Sequence, residues 1–238
     1  MELKEKLRAW AKEYNTPSFI DTDPIQFPRK YIHSKKDAEV SGLLTALISY
    51  GRREQIIAKA KVLDDMFNNN PYLWIVNGQF REDIPYNHDS FYRCIENAKM
   101  IEWCSIIQMM LFIQGSIEQY IKISFAGQSP QYGLSVAMGF NPKSANKRIA
   151  MFLLWMVRND GIVDLGLWKD TDSKDLVIPL DVHVHGMALE LGITKRKTAD
   201  ITTAREISEY MKTVFPNDPC LGDFELFGYG INRFKLTK

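Results

Sequence analysis

Along most of the chain, apolar residues recur at the 3.6-residue spacing of a helix. Val40, Leu43, Leu44 and Leu47 form one such stripe. Ser34-Lys35-Lys36-Asp37 ahead of it reads as a capping-box-like start, so the pattern predicts a helix from Ser34 to Tyr50. Gly51 interrupts it, Ile56, Ala60, Leu63 and Phe67 mark a second helix, and Asn68-Asn69-Asn70-Pro71 stops that one. Residues 71–89 carry Pro71, Gly78 and Pro85, and predict a long connection with at most short helices. A long apolar helix is predicted from Phe91 to Gln114, ended by Gly115, with a short helix from Ser116 to Ser124 behind it. Gly127 to Pro142 is rich in Gly, Pro and Ser and reads as loop. Ser144 to Arg158 then predicts a helix with Ile149, Phe152, Leu153 and Met156 inward, and Asp160-Gly161 breaks it. After a polar loop through Asp175 come helices at Asp181–Leu191, Thr202–Phe215 and Asp223–Tyr229. Only Leu176-Val177-Ile178 looks strand-like, and it is too short to found a sheet. The expected fold class is all-α, in many short helices.

Composition narrows the class without naming an activity. The 238 residues are 45% hydrophobic and 25% charged, which is ordinary for a globular chain. A formal net charge of +1 gives no global field toward nucleic acid, although a basic face can coexist with an acidic back. Cys94, Cys104 and Cys220 are widely spaced and make no C-x-x-C pair, so no ligand set exists for a zinc ribbon or an iron–sulfur cluster. Sparse, odd cysteines fit reduced thiols in the cytoplasm. Met1-Glu2-Leu3-Lys4-Glu5-Lys6 is charged and unlike a signal peptide, and no apolar run approaches the roughly 20 residues of a membrane span. A cytoplasmic protein with no membrane partner is expected.

The most informative string is Ile178-Pro179-Leu180-Asp181-Val182-His183-Val184-His185-Gly186. A carboxylate between a proline and an apolar helical period is a natural N-cap, and Asp181 fits that role unaided. The string also resembles the segment of helix-hairpin-helix (HhH-GPD) DNA glycosylases in which a proline, an aspartate and a histidine-containing helix follow one another. The resemblance implies that Asp181 is the family's essential aspartate, facing a catalytic cleft from a helix start, with His183 and Val184 matching the residues after it. A second segment, Asp37 to Arg52, resembles the family's early helix, which ends in a polar pocket-lining turn. Here that turn is Ser49-Tyr50-Gly51-Arg52, which departs from the family's serine and glutamine pattern. More closely, the whole chain resembles a bacterial family of DUF2400 type related to these glycosylases, which supplies a fold and no settled activity.

The likeness weakens where the family carries a two-glycine hairpin. This chain has Gly139-Phe140-Asn141-Pro142-Lys143-Ser144-Ala145-Asn146-Lys147-Arg148 instead. A helix starting at Ser144 would still offer N–H groups to a phosphate, with Lys143, Lys147 and Arg148 supplying charge. It reads equally as a capped helix with a solvated basic turn. Bifunctional family members use a lysine that attacks the sugar carbon. Lys147 is the candidate, while an alignment on Ala150 puts Arg148 at that position, and an arginine cannot serve as nucleophile.

The resemblance thus implies a two-lobed helical fold with a cleft, one lobe at residues 35–158 and the other at 1–34 plus 159–238. It implies a base-excision glycosylase acting on a flipped base in DNA, with or without lyase activity, and needing no cofactor or metal. Asp181 and Lys147 would be catalytic, and Lys143, Ser144, Arg148, Ser49, Tyr50, Arg52 and His183 would touch DNA or the base. Two other readings stay open. The first is a non-catalytic member of the same fold that binds nucleic acid or protein. The second is a metal-dependent hydrolase using Asp181, His183 and His185, although side chains two apart on a helix diverge by about 200°. Lys195-Arg196-Lys197 is a solvated patch or a set of phosphate contacts, and Phe224 to Gly230 a docking helix.

Overall fold

Every residue from Ala38 to Ile48 is buried, so the first predicted stripe of the chain is less a stripe than a helix enclosed on all sides. In the computed structural model, which describes residues 3–14, 16–159, 161–223 and 226, that helix is α3 (Lys35–Ile48). Its start is the predicted one: Ser34 is the N-cap and its Oγ accepts the Asp37 N–H. Before it stand α1 (Leu3–Tyr14) and the single turn α2 (Gln26–Arg29). After it come α4 (Arg53–Met66), α5 (Pro71–Val76), α6 (Phe80–Asp83), α7 (Asn97–Gln114), α8 (Ile117–Ser124) and α9 (Pro130–Ala137). Then follow α10 (Lys147–Val157), α11 (Val182–Glu190) and α12 (Ile201–Lys212). The described residues are mostly helical, with 61% helix in 12 helices and one small hairpin. No single helix among the described residues is long and apolar enough to cross a membrane.

The described chain divides by contact into two compact units, Ile20–Met138 and Met1–Phe19 with Gly139–Lys238. In the first, α3 packs against α2, α4 and α5, and α7 against α5 and α8. A charged group sits at its heart: Glu39, fully buried, accepts the Ser116 hydroxyl at 2.9 Å, the Ile117 N–H at 3.0 Å and the Glu118 N–H at 3.2 Å. These are the orphan donors at the start of α8, so one helix's carboxylate caps another. Glu118 in turn pairs with Lys35.

In the second unit Ile178, Leu180, Val184, Ala188, Ala204, Ile207 and Met211 form a core that Leu7 of α1 completes. At the end of α10, Arg158 is wholly buried between two carboxylates. Its Nη1 donates to Asp164, also wholly buried, and its Nε to both oxygens of Asp218 at 3.0 and 2.8 Å.

Three sequence expectations are corrected. The long helix begins at Asn97 and not at Phe91, because Ser90–Tyr92 pairs antiparallel with Ile95–Glu96 across Arg93, which takes a left-handed φ of 53°. Phe91, Tyr92 and Ile95 are buried in this hairpin, and an apolar run alone does not separate a short hairpin from a helix. The stretch read as loop at Gly127–Pro142 contains α9, capped by Ser129 with Pro130 at its first position, where a proline costs nothing. Gly133 inside α9 permits close packing, since a Cβ there would lie 3.0 Å from Phe125. Leu176-Val177-Ile178, too short to found a sheet, pairs with no strand among the described residues; the Ile178 N–H goes to the Ser208 hydroxyl at 2.9 Å. Finally, the helix expected at Ser144 begins at Lys147. The predicted helix at Asp223–Tyr229 falls largely outside the described residues.

Candidate functional site

Asp181 and Lys147 lie 34 residues apart in sequence, and the core beneath them explains why they meet. Ala145, just before α10, packs with Leu180 and Val184, which flank Asp181, in one apolar cluster. Burying those three side chains sets the first turns of α10 and α11 side by side. Asp181 itself has an extended backbone (φ −117°, ψ −174°) and caps α11, as its position after Pro179 predicts. One carboxylate oxygen, Oδ1, accepts the N–H groups of His183 and Val184, both at 2.9 Å. The other, Oδ2, lies 3.2 Å from Lys147 Nζ, and the two side chains are 15% and 33% exposed.

This division of the carboxylate has chemical consequences. The cap fixes the side chain's rotamer and contributes about 1 kcal/mol. The half-exposed ion pair adds no more than about 1 kcal/mol. Neither amount makes the pair a pillar of the fold. It is instead a lysine and a carboxylate held in contact at 3.2 Å where solvent reaches both.

Lys147, and not Arg148, faces Asp181; the Arg148 guanidinium lies over the Phe140 ring at 5.1 Å. The turn before them differs from expectation. Asn146 takes a left-handed conformation (φ 46°, ψ 53°) and donates from its side chain to Asn141 O at 2.8 Å. Ser144 therefore caps nothing. It forms an isolated antiparallel bridge with Asp200, and Ile201 N–H donates to Lys143 O at 3.1 Å. The backbone of Lys143 and Ser144 is engaged by this pairing, which is why the helix starts three residues late.

Ser49, Tyr50 and Arg52 belong to the other unit. The Ser49 hydroxyl is buried and donates back to Thr45 O at 2.7 Å, so it closes α3 and lines no open surface. Tyr50 is pinned to the hairpin. Its hydroxyl donates to Tyr92 O at 3.2 Å and accepts the Cys94 N–H at 3.1 Å, and its ring meets Tyr92 edge-on at 5.4 Å. Arg52 is exposed at the N-cap position of α4. The tie to Cys94 and Tyr92 is not visible in the sequence, because the apolar run predicts a helix where the hairpin stands.

The three metal-ligand candidates do not converge. Asp181 is held by α11 amides, and His185 Nε2 is turned to Arg196 O at 2.8 Å. Among the described residues no three His, Cys, Asp or Glu side chains stand together as a metal would need. A cavity of about 410 Å³ opens beside Trp168, Lys169 and Asp218, the last of which pairs with Arg158, and neither Asp181 nor Lys147 lines it.

Comparison with known proteins places these residues in a family. The family described as "Protein of unknown function (DUF2400)" matches residues 23–139 and 122–232. No curated protein and no solved structure was found to match the chain.

Proposed function

We propose that this chain, which belongs to the DUF2400 family, is a base-excision glycosylase that shares the two-lobed fold of the helix-hairpin-helix enzymes. The observation that carries the reading is the 3.2 Å approach of Lys147 Nζ to an Asp181 oxygen that the helix cap leaves over. Breaking an N-glycosidic bond builds positive charge on the sugar, and a fixed carboxylate beside it lowers that barrier. The target base must first leave the stack. Water then attacks C1′, the C1′–N bond breaks, the base departs with the bonding pair and a proton, and an abasic sugar remains. In the lyase variant Lys147 gives a proton to Asp181 and its amine attacks C1′ in place of water. Lys143 and Arg148 supply charge toward the phosphates, and His183 borders the same helix start.

The test is a panel of duplex oligonucleotides, each carrying one damaged base, with released base measured by chromatography. Asp181→Asn is expected to lose about 10²–10³-fold in excision rate. It should keep its unfolding midpoint, because asparagine caps a helix as well as aspartate does. Wild-type protein that releases no base from any duplex would sink the catalytic reading. A non-catalytic nucleic-acid-binding member of the fold would then be left, a reading favoured by the absence of the two-glycine hairpin before α10. For the lysine, borohydride trapping of a protein–DNA adduct is expected with wild type and not with Lys147→Gln. Trapping that persists in Lys147→Gln assigns the amine elsewhere.

A further inference from the structure

In the run Lys195-Arg196-Lys197 the middle residue faces the opposite way from its neighbours in function. Arg196 donates from Nε to the Thr203 hydroxyl and from Nη2 to Asp200 Oδ2, both at 2.8 Å. Its own N–H goes to the Thr194 hydroxyl at 3.1 Å, and Thr203 donates onward to Thr198 O at 2.6 Å. The loop from Thr194 to Asp200 is thus folded around one guanidinium. Lys195 and Lys197 are exposed, and neither ammonium has a hydrogen bond or ion pair among the described residues; the same holds for Lys143.

Two ties fix this loop to the candidate site. Ser144 bridges Asp200 and Ile201 N–H donates to Lys143 O, so Lys143 is backbone-paired to the loop's end. His185 Nε2 meets Arg196 O at 2.8 Å, joining the loop to the helix that Asp181 caps. Resting on the reading of DNA as partner, we propose that Lys143, Lys195 and Lys197 form one ridge that contacts successive backbone phosphates beside Asp181. Arg196 is a positioning residue that shapes the loop and touches no phosphate. Unpaired ammonium groups on two segments locked together by backbone pairing suit a regular row of negative charge. Phosphate-backbone contacts of this kind carry affinity without sequence choice.

The experiment measures affinity for an undamaged fluorescent duplex by anisotropy between about 50 and 200 mM salt. Each phosphate contact adds about 0.9 to the slope of log affinity against log salt. The triple variant Lys143→Ala, Lys195→Ala, Lys197→Ala is therefore expected to lower the slope by about 2.7, so wild type loses roughly 40-fold more affinity across that range. The triple variant should unfold at the wild-type midpoint, whereas Arg196→Ala should unfold earlier. An unchanged slope overturns the ridge, and so does tighter binding of polyglutamate than of duplex, which would assign the lysines to an acidic protein. Wild type that binds duplex with the expected slope change but excises nothing keeps the ridge and removes the glycosylase reading. Excision with an unchanged slope removes the ridge alone, and wild type that binds no duplex removes both.

Discussion

Arg158→Met should cost the protein about 3–5 kcal/mol of folding stability, read as a drop in the urea midpoint. The guanidinium and Asp164 are both wholly buried, and removing the cation leaves that carboxylate uncompensated in a medium that solvates it poorly. Asp218 suffers less, being 27% exposed and within reach of water. The size of the loss reflects a stranded charge rather than the net worth of the ion cluster. It follows that Arg158→Met combined with Asp164→Leu, which removes both fully buried charges, should be more stable than Arg158→Met alone. A double variant no more stable than Arg158→Met alone would contradict this account.

Glu39→Ala should be comparably severe, about 3–5 kcal/mol, because three buried donors at the start of α8 lose their acceptor together. Against a typical total of about 5–15 kcal/mol, either change removes a large share of what holds the fold. Glu39 also gives stability a pH signature. Burial raises its pKa above the ordinary 4.5, opposed in part by the Ile117, Ser116 and Glu118 donors and by Lys35. An acid whose folded pKa is raised contributes stability that is fully present below the unfolded pKa and is lost as pH rises through the folded one. Wild type should therefore lose stability relative to Glu39→Gln as pH climbs from about 4.5 toward neutrality. Thermal melts of the two proteins across that window check it, and a gap that stays constant would show an unshifted carboxylate.

How much of this was legible in the sequence differs from residue to residue. The Ser34 and Asp181 caps were readable because a cap depends on a few adjacent residues. The helices of α3, α4, α8 and α11 were readable for the same reason, since periodicity is local. The Ser90–Glu96 hairpin was not, because a short apolar run carries no period that separates a strand from a helix. α9 hid behind Gly and Pro that serve packing and initiation rather than chain reversal. At the candidate site, Asp181 was found from its flanking proline and helix. The choice between Lys147 and Arg148 was not decided by any spacing. It follows from Asn146 turning left-handed and from Ser144 pairing with Asp200, 56 residues on. Glu39 and Arg158 passed unnoticed, since each looks like an ordinary polar position of a helix until the elements that enclose it are known.

The carboxylate of Glu39 reaches its donors across 77 to 79 residues of chain, and that span bears on how the molecule assembles. An eight-residue helix such as α8 is too short to persist by itself in water. Its first turn gains its partners only when α3 arrives, so the two segments are expected to order in one concerted event. The closure of that intervening loop, rather than the speed of helix formation, then sets the pace.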